Sequence, residues 1–331
     1  MKRLGALLAI CVATVAGIPA AAVAQSTAAA PKAVTFLTNY VFNGRHAPFF
    51  VGLDKGFYKD AGFAIKVEPT TGSGFVITAV DSGKADYGMA DVSSVAQGVA
   101  KGAKVKGFMV YTDITTNGLA SLTPYPTAQS VVGKTIAAGP TDSVRVILPI
   151  IFENQKLDIS SIKWKSADPS VYSSLLLSGQ VDLFTATLDG DMPGFSKVAA
   201  AQGKTAHFSS FADWGYDIFG YVLLGTASNV AEHPDEAARF ADATKKAVQY
   251  SIAHPDEAAA ILVKYNPTMN LDTVKTQWSE TIKSINTPYV AKHGYGAATE
   301  DRLQRTIDLV KQSMKLDAAL KPADIYVTLG K

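Results

Sequence analysis

Tyr40, Asn43 and His46 follow an apolar stretch at intervals of three residues, and they are strong candidates for contact with a small molecule. An aromatic ring can stack on a flat ligand, while an amide and an imidazole offer hydrogen bonds to a polar heterocycle. In open α/β sheets, ligands bind beyond the carboxyl ends of the strands, where this turn would lie. The alternative is a structural role, with Tyr40 in the core and His46 capping a helix.

Two further junctions carry small polar residues that are suited to ligand contact. Gly72, Ser73 and Gly74 open a predicted helix, where glycines let the backbone approach a ligand and free amides attract electron-rich groups. Asp91 and Ser93 lie at the next junction from strand to helix. We predict ligand contacts at all five positions, although Asp91 can serve as a helix cap instead.

Candidates in the second half of the chain lie at corresponding positions. Thr141 and Ser143 precede a predicted helix, and Asp189 follows the apolar segment VDLFTAT. Trp214 belongs to an aromatic cluster that we expect to divide between hinge packing and the pocket wall. We predict that all four contact the ligand, and a cap or turn role is the alternative for the first three.

Arg45 and Arg145 are relevant to an anionic ligand, because a carboxylate or sulfonate favours a bidentate cation. We expect both arginines at the surface. The chain has no Gly-x-Ser-x-Gly elbow, no His-Glu-x-x-His helix and no phosphate loop ending in Gly-Lys-Ser/Thr. We therefore predict that it is not an enzyme and has no catalytic residue, metal site or cofactor.

The elements that position these residues alternate between strand and helix. We predict strands at 34–39, 64–69, 86–89, 105–111, 135–138, 162–165, 181–185 and 214–224. Helices are predicted at 47–61, 75–82, 91–101, 143–155 and 171–178. This order indicates an α/β fold with mainly parallel sheets flanked by helices.

The length of 331 residues favours two lobes. Residues 112–130, rich in Thr, Asn, Pro and Gly, are interpreted as the first crossing between them, and the segment near 214–224 as the second. We predict lobe I over 25–115 and 221–331, which includes the C-terminal helices, and lobe II over 116–220. The repeated sequence His-Pro-Asp-Glu-Ala-Ala at 233–238 and 254–259 marks helix starts rather than a metal site.

The first 24 residues are typical of a signal peptide, with Lys2 and Arg3 before an apolar run and cleavage after Ala24. Lipid attachment at Cys11, the chain's one cysteine, is the alternative. The chain carries 31 basic and 29 acidic residues, so removal of Lys2 and Arg3 leaves 29 of each. This balance argues against a nucleic-acid partner.

Residues 34–91 closely resemble the first lobe of the periplasmic solute-binding proteins of the nitrate/sulfonate/taurine and thiamine-pyrimidine-precursor class. The segment LDKGFYKDAGFAIKV carries this resemblance, as do Tyr40, Asn43, His46 and Phe50, whereas Pro48 stands where the motif has Gly. The resemblance implies the type II periplasmic-binding-protein fold with two hinge crossings. It also implies a monomer in the periplasm that captures a small molecule and docks on an inner-membrane ABC permease.

The sequence leaves two ligand classes and three functions open. The Tyr40/Asn43/His46 match favours a small polar heterocycle, such as a thiamine pyrimidine precursor or a riboflavin-like compound. The broader family allows a sulfonate, nitrate or aromatic carboxylate. The rival class is an enzyme related to pyrimidine synthases, and a receptor that signals to a membrane sensor is a third possibility.

Overall fold

The computed structural model describes Met1, residues 30–314 and residues 319–329. Apart from Met1, the predicted signal peptide, with Cys11 and the cleavage position, falls outside the described residues. Within the described part of the chain, none of the helices combines the length and the apolar character needed to cross a membrane.

The described residues form two five-stranded sheets. The strands are β1 (Lys32–Leu37), β2 (Phe63–Glu68), β3 (Tyr87–Asp91), β4 (Val105–Val110), β5 (Asn117–Ser121), β6 (Thr135–Ala137), β7 (Lys163–Lys165), β8 (Leu183–Thr187), β9 (His207–Ser210) and β10 (Tyr221–Thr226). The first sheet has the order β2-β1-β3-β10-β4 and the second has β7-β6-β8-β5-β9. Four strands of each sheet point in the same direction, while β10 and β5 run antiparallel to both of their neighbours.

Helices flank both sheets, which confirms the predicted α/β class. They are α1 (Ala47–Asp54), α2 (Phe57–Asp60), α3 (Ser73–Asp81), α4 (Val92–Ala100), α5 (Val144–Asn154), α6 (Tyr172–Leu177), α7 (Met192–Ala201), α8 (Ala227–Glu232), α9 (Pro234–Ala253), α10 (Pro255–Tyr265), α11 (Leu271–Ile285), α12 (Pro288–His293), α13 (Glu300–Met314) and α14 (Pro322–Ile325). Short 3₁₀ turns cover Gly44–His46, Ala128–Val131, Ile159–Ser161 and Pro169–Val171.

Two predicted elements differ from the structure. The helix predicted over 47–61 is split into α1 and α2, because Gly56 adopts a left-handed φ of 77° between them. The strand predicted over 214–224 begins only at Tyr221, since Gly215 with φ of 90° turns the chain before it. The sequence pattern also does not predict β5 or β9, which lie at 117–121 and 207–210.

The chain passes from the first sheet to the second between β4 and β5, and it returns between β9 and β10. The lobe boundaries at 115/116 and 220/221 remain predictions. An aromatic cluster anchors α9 on the first sheet, with the Phe240 ring centroid 4.7 Å from that of Tyr87 and 5.8 Å from that of Phe36. This packing fixes β1, and with it the turn that follows.

Candidate functional site

The turn after β1 places two polar residues in the space between the sheets. Asn39 and Tyr40 follow the carboxyl end of β1, and the Thr38 hydroxyl donates to the Tyr40 carbonyl at 2.8 Å. The Thr70 hydroxyl, just beyond β2, donates to the Thr38 carbonyl at 2.8 Å. Two neighbouring parallel strands therefore hold Tyr40 in place.

A small cavity lies beyond the carboxyl ends of β1, β6 and β8. Its volume is about 20 Å³, which is room for about one water molecule. The first sheet and its loops contribute Asn39, Tyr40, Gly72, Ser73 and Tyr221. The second contributes Asn117, Asp142, Ser143, Thr185, Ala186, Thr187 and Asp191.

The predicted contact residues divide into three groups. Those that line the cavity are Tyr40, Gly72, Ser73 and Ser143. Gly74 and Thr141 line an adjoining groove of about 630 Å³. Those that lie outside both linings are Asn43, His46, Asp91, Ser93, Asp189 and Trp214. Contact with a ligand remains a prediction for all twelve.

The Tyr40 hydroxyl is buried and has no hydrogen-bond partner among the described residues. The side chain is 9% exposed and packs with apolar residues on the second sheet and its helices. Burial, followed by the nearby Asp191 and Asp142 carboxyl groups, raises the pKa of Tyr40 well above its ordinary value. The phenol therefore remains protonated, with an unused donor close to two carboxyl groups.

Gly72 and Gly74 contact the second half of the molecule through their backbone. The Gly74 N–H donates to the Thr141 carbonyl at 3.0 Å, and a Cβ on Gly72 would lie 2.3 Å from the same oxygen. The Gly74 amide, predicted as available to a ligand, is therefore occupied by the loop before α5. The Ser73 hydroxyl accepts the Asp91 N–H at 3.0 Å.

Asp91 and Ser93 support the cavity wall from behind. Asp91 caps α4 by accepting the Ser93 and Ser94 N–H groups at 3.0 and 3.3 Å, and its other oxygen accepts the Asn117 amide at 3.3 Å. The Ser93 hydroxyl bonds to that of Tyr216. Asp91 thus has the capping role recognised as its alternative, and it orients Asn117 in the cavity wall.

Asn43 and His46 form a reciprocal cap at the Gly44–His46 turn. The Asn43 carboxamide accepts the Arg45 N–H at 3.1 Å, and His46 Nδ1 accepts the Asn43 N–H at 3.2 Å. Burial and then Arg45 lower the pKa of His46, so its ring is neutral. With Nδ1 accepting, Nε2 carries the proton and donates to Asn39 Oδ1 at 3.1 Å. His46 therefore orients a residue that lines the cavity.

Arg45 is fully buried, so the prediction that it lies at the surface is wrong. Its guanidinium forms an ion pair with Asp189, with Nε 2.8 Å from Oδ2, and it lies 4.5 Å from the centre of the Tyr221 ring. Burial, the largest single influence, would raise the pKa of Asp189, but the Arg45 charge together with hydrogen bonds from Arg45, Thr116 and Thr281 holds this pKa below its ordinary value. The pair joins the turn after β1 to the loop after β8.

Arg145 and Trp214 are engaged elsewhere. Arg145 is half-buried and donates to the carbonyls of Ala138 and Gly139 at 2.8 and 3.1 Å. Trp214 donates from its indole to the Pro126 carbonyl at 3.2 Å and packs on Phe211. Both arginines therefore already have protein partners, and of their nitrogens Nη1 of Arg45 is buried without a hydrogen bond among the described residues.

Acidic groups dominate the electrostatics of the cavity. Burial raises the pKa of Asp142 and Asp191 to about 6, and that of Asp91 behind them to about 7, although hydrogen bonds to each carboxylate limit the rise. No lysine, arginine or histidine is among the described residues that line the cavity. Within residues 30–314 and 319–329, no three His, Cys, Asp or Glu side chains are grouped to hold a metal ion.

Several lining residues are not among the sequence candidates. Thr185 and Thr187 lie two positions apart on β8, so both face the cavity, and this alternation in an apolar strand is a usable signal. Asp142 lies directly between the candidates Thr141 and Ser143, and Asp191 lies two residues after the candidate Asp189. Asn117 begins β5, for which the sequence offers no comparable signal, whereas Tyr221 begins β10 within the aromatic segment 214–224 that the sequence does indicate.

A family model described as NMT1/THI5 like matches residues 43–258. A curated relative, the 4-amino-5-hydroxymethyl-2-methylpyrimidine phosphate synthase of Candida albicans, is 25% identical over 288 residues, covering 80% of this chain and 82% of the relative. Related synthases of Saccharomyces cerevisiae are 23% identical over 292 residues. These relatives contradict the prediction that the chain is not an enzyme.

Solved structures share the fold at low sequence identity. The alkanesulfonate-binding protein SsuA from Xanthomonas axonopodis pv. citri, bound to MOPS, aligns with a TM-score of 0.69 and 13% identity, over 91% of this chain and all of that chain. The periplasmic nitrate-binding protein NrtA from Synechocystis PCC 6803 aligns with a TM-score of 0.62 and 10% identity, over 89% and 86%. The fold is therefore that of periplasmic binding proteins.

Proposed function

The chain belongs to the NMT1/THI5-like family, and from this premise we propose that it is a solute-binding protein of an ABC importer. The cavity has room for about one water molecule in this structure, so the two halves would part to admit a small polar heterocycle, such as a thiamine pyrimidine precursor or a riboflavin-like compound. The observation that carries this proposal is the polar cavity to which both sheets contribute. A ligand there touches both halves, so it stabilises their closed arrangement by its differential affinity for that state.

The lobes, partners and location follow from the same proposal. Lobe I would comprise residues 25–115 and 221–331, and lobe II residues 116–220, in agreement with the strands that each sheet contains. The exported chain would act as a monomer in the periplasm and deliver its ligand to an inner-membrane permease. Structural relatives with alkanesulfonate-binding and nitrate-binding names support the transport role.

The side chains at the cavity favour a neutral or donor-rich heterocycle over an anion. Sulfonate, nitrate and carboxylate ligands need cations or free amides. Here Arg45 is paired with Asp189, Arg145 binds backbone carbonyls, and the Gly74 amide binds the Thr141 carbonyl. Asp142 and Asp191 would repel an anion.

The experiment that tests this proposal is native mass spectrometry of the purified exported chain, followed by release and identification of a bound small molecule. A pyrimidine or flavin supports the proposal as stated. A sulfonate, nitrate or carboxylate supports solute binding but contradicts the heterocycle. For a protein that purifies empty, a thermal-shift screen of both ligand classes takes its place, because binding to the native state raises the melting temperature.

We expect Tyr40→Phe to weaken the binding of a heterocycle by about 1 kcal/mol, because the hydroxyl is a free donor near the cavity. The ligand-free protein should keep or gain stability, since the variant removes an unpartnered buried group while the ring remains packed. Isothermal titration and thermal denaturation measure the two effects. Tyr58→Phe is the control, because its buried hydroxyl bonds to Thr244 at 3.0 Å, far from the cavity lining. Unchanged affinity in Tyr40→Phe removes the hydroxyl from the site.

A second candidate function is synthesis of a pyrimidine phosphate, which the names of the curated relatives favour. The cavity supports it in one respect, because the Asp142 and Asp191 carboxyl groups, each with a pKa of about 6, can exchange protons close to neutral pH. The test is growth of a synthase-deficient strain on pyrimidine-free medium when it expresses residues 25–331 in the cytoplasm. Growth that is lost in Asp142→Asn supports the enzyme.

A further inference from the structure

Asp142 and Asp191 are held side by side by one strand. Asp142 Oδ1 accepts the Val144 N–H at 3.0 Å and the Thr185 hydroxyl at 3.1 Å. Asp191 Oδ2 accepts the Thr187 N–H at 2.7 Å and its hydroxyl at 3.0 Å. Because Thr185 and Thr187 share one face of β8, about 7 Å apart along the strand, the two carboxyl groups flank the same part of the cavity.

Each carboxyl group keeps one oxygen without a hydrogen bond among the described residues. Oδ2 of Asp142 and Oδ1 of Asp191 belong to residues that line the cavity and accept nothing, whereas the opposite oxygens are fully used. The Tyr40 hydroxyl, which is buried and unpartnered, is the third polar group that remains unused at this position. These two carboxylate oxygens and the Tyr40 hydroxyl can therefore form hydrogen bonds with a ligand that presents donors.

The surroundings do not neutralise these two acids. The charged and titratable groups that face them are Asp91 from β3, Arg145 from α5, Tyr172 from α6, Tyr221 from β10, Tyr40, and the Arg45–Asp189 pair. Arg45 is paired with Asp189, and Arg145 donates to carbonyls and to the Ser166 hydroxyl. The two acids therefore lack a positively charged or hydrogen-bond-donating partner, which a ligand would supply.

We propose that the ligand presents a nitrogen donor edge, an amidine or an amino group on a heterocycle, to the free oxygens of Asp142 and Asp191, and that a cationic ligand releases protons from them as it binds. This proposal rests on the proposed solute-binding function and names the chemistry of its ligand. The proton of each carboxyl group passes to the buffer, and the ligand cation replaces it as the partner of the carboxylate.

The raised pKa values of Asp142 and Asp191, about 6 each, agree with this linkage. An acid whose pKa is higher in the folded protein takes up protons on folding, so its contribution to stability falls as the pH rises through the interval up to about 6. The ligand-free protein is therefore destabilised by these two charges at neutral pH, and a cationic ligand relieves that destabilisation.

The substitutions Asp142→Asn and Asp191→Asn separate binding from folding. An asparagine can keep the two accepted hydrogen bonds through its oxygen and turn its NH₂ toward the cavity, where a ligand donor would then meet another donor. We expect each variant to raise the melting temperature of the ligand-free protein at pH 7.5. Each should also weaken a donor ligand by about 10- to 100-fold. Asp213→Asn, at an exposed position, is the matched control.

The experiment titrates the wild-type protein and the variants with two sets of probes at pH 5 to 8. The first set is benzamidine, benzamide and benzoate. The second set is 4-amino-5-hydroxymethyl-2-methylpyrimidine and its 4-oxo counterpart. We expect benzamidine or the aminopyrimidine to bind at least about tenfold more tightly than its partners. Benzamidine, which keeps its charge, should weaken as the pH falls below about 6. If benzoate binds as tightly as benzamidine, or the oxo compound as tightly as the aminopyrimidine, the proposed donor contact is wrong, although solute binding itself is not contradicted. Failure of both donor probes to bind below about 10 mM also overturns it, as do variants that lower the melting temperature without changing affinity.

Discussion

Arg45→Met should lower the free energy of unfolding by about 3–5 kcal/mol, because it leaves the Asp189 carboxylate buried without a countercharge. Both side chains of the pair are essentially inaccessible to solvent. Among the described residues, the Thr281 hydroxyl at 2.9 Å and the nearby Thr116 hydroxyl are the side-chain donors left to Asp189, and they cannot offset a full charge. Urea denaturation monitored by tryptophan fluorescence measures the loss.

Two further variants show whether the loss comes from the unpaired charge. Arg305→Met removes an exposed cation that lies 3.4 Å from Asp217, and it should cost less than about 1 kcal/mol. The double variant Arg45→Met/Asp189→Leu should recover much of the stability lost in Arg45→Met, because apolar pairs often replace buried ion pairs at little cost. A single variant that is as stable as Arg305→Met would show that water reaches Asp189.

The Asp189 pair and the cavity acids give stability opposite dependences on pH. The folded pKa of Asp189 is lowered, so its stabilisation is present at neutral pH and is lost as the medium becomes strongly acidic. The raised pKa values of Asp142 and Asp191 favour the folded state at pH below about 6. The ligand-free protein should therefore be most stable in mildly acidic solution. Arg45→Met should remove the loss of stability in strong acid and steepen the decline toward neutral pH, because burial without Arg45 raises the pKa of Asp189.

The alternation of strands and helices could be predicted because it depends on local patterns. Strands β1 to β4 and helices α3 to α5 lie within a few residues of their predicted positions. The antiparallel β5 could not be found in this way, because its sequence NGLAS is short and lies in a turn-rich region. Its place is determined by pairing with β8 and β9, whose paired residues lie 62 to 92 positions further along the chain.

The site could be predicted only in part for the same reason. Strand-end turns identify where a ligand is expected, and Tyr40 and Ser73 do line the cavity. Which neighbouring polar residue faces inward depends on contacts across the two sheets. Arg45 illustrates this, because its partner Asp189 is 144 residues away, and charge alone suggested exposure.

Gly72→Ala is the second substitution for which we expect a large effect, a loss of ligand affinity of about 100-fold. The added Cβ would lie 2.3 Å from the Thr141 carbonyl oxygen and 2.9 Å from the Asp142 backbone nitrogen. Both contacts are with backbone, which cannot rotate away, so α3 and the loop before α5 must separate. Gly72 also has a φ of 155° that alanine seldom adopts. Separation would break the bond from Gly74 to Thr141 and open the cavity to solvent.

The effect of Gly72→Ala on binding should be much larger than its effect on the folding of either sheet, because the clash lies between the two halves. Gly102→Ala is the control: Gly102 also has a positive φ, of 99°, but no atom lies within 4 Å of an added Cβ. It should lower stability by about 1 kcal/mol and leave affinity unchanged. Small-angle scattering should show a larger radius of gyration for Gly72→Ala alone. If Gly72→Ala binds as tightly as Gly102→Ala, the contact with Thr141 is not required for the ligand-bound state, and closure must depend on other contacts, such as the Arg45–Asp189 pair.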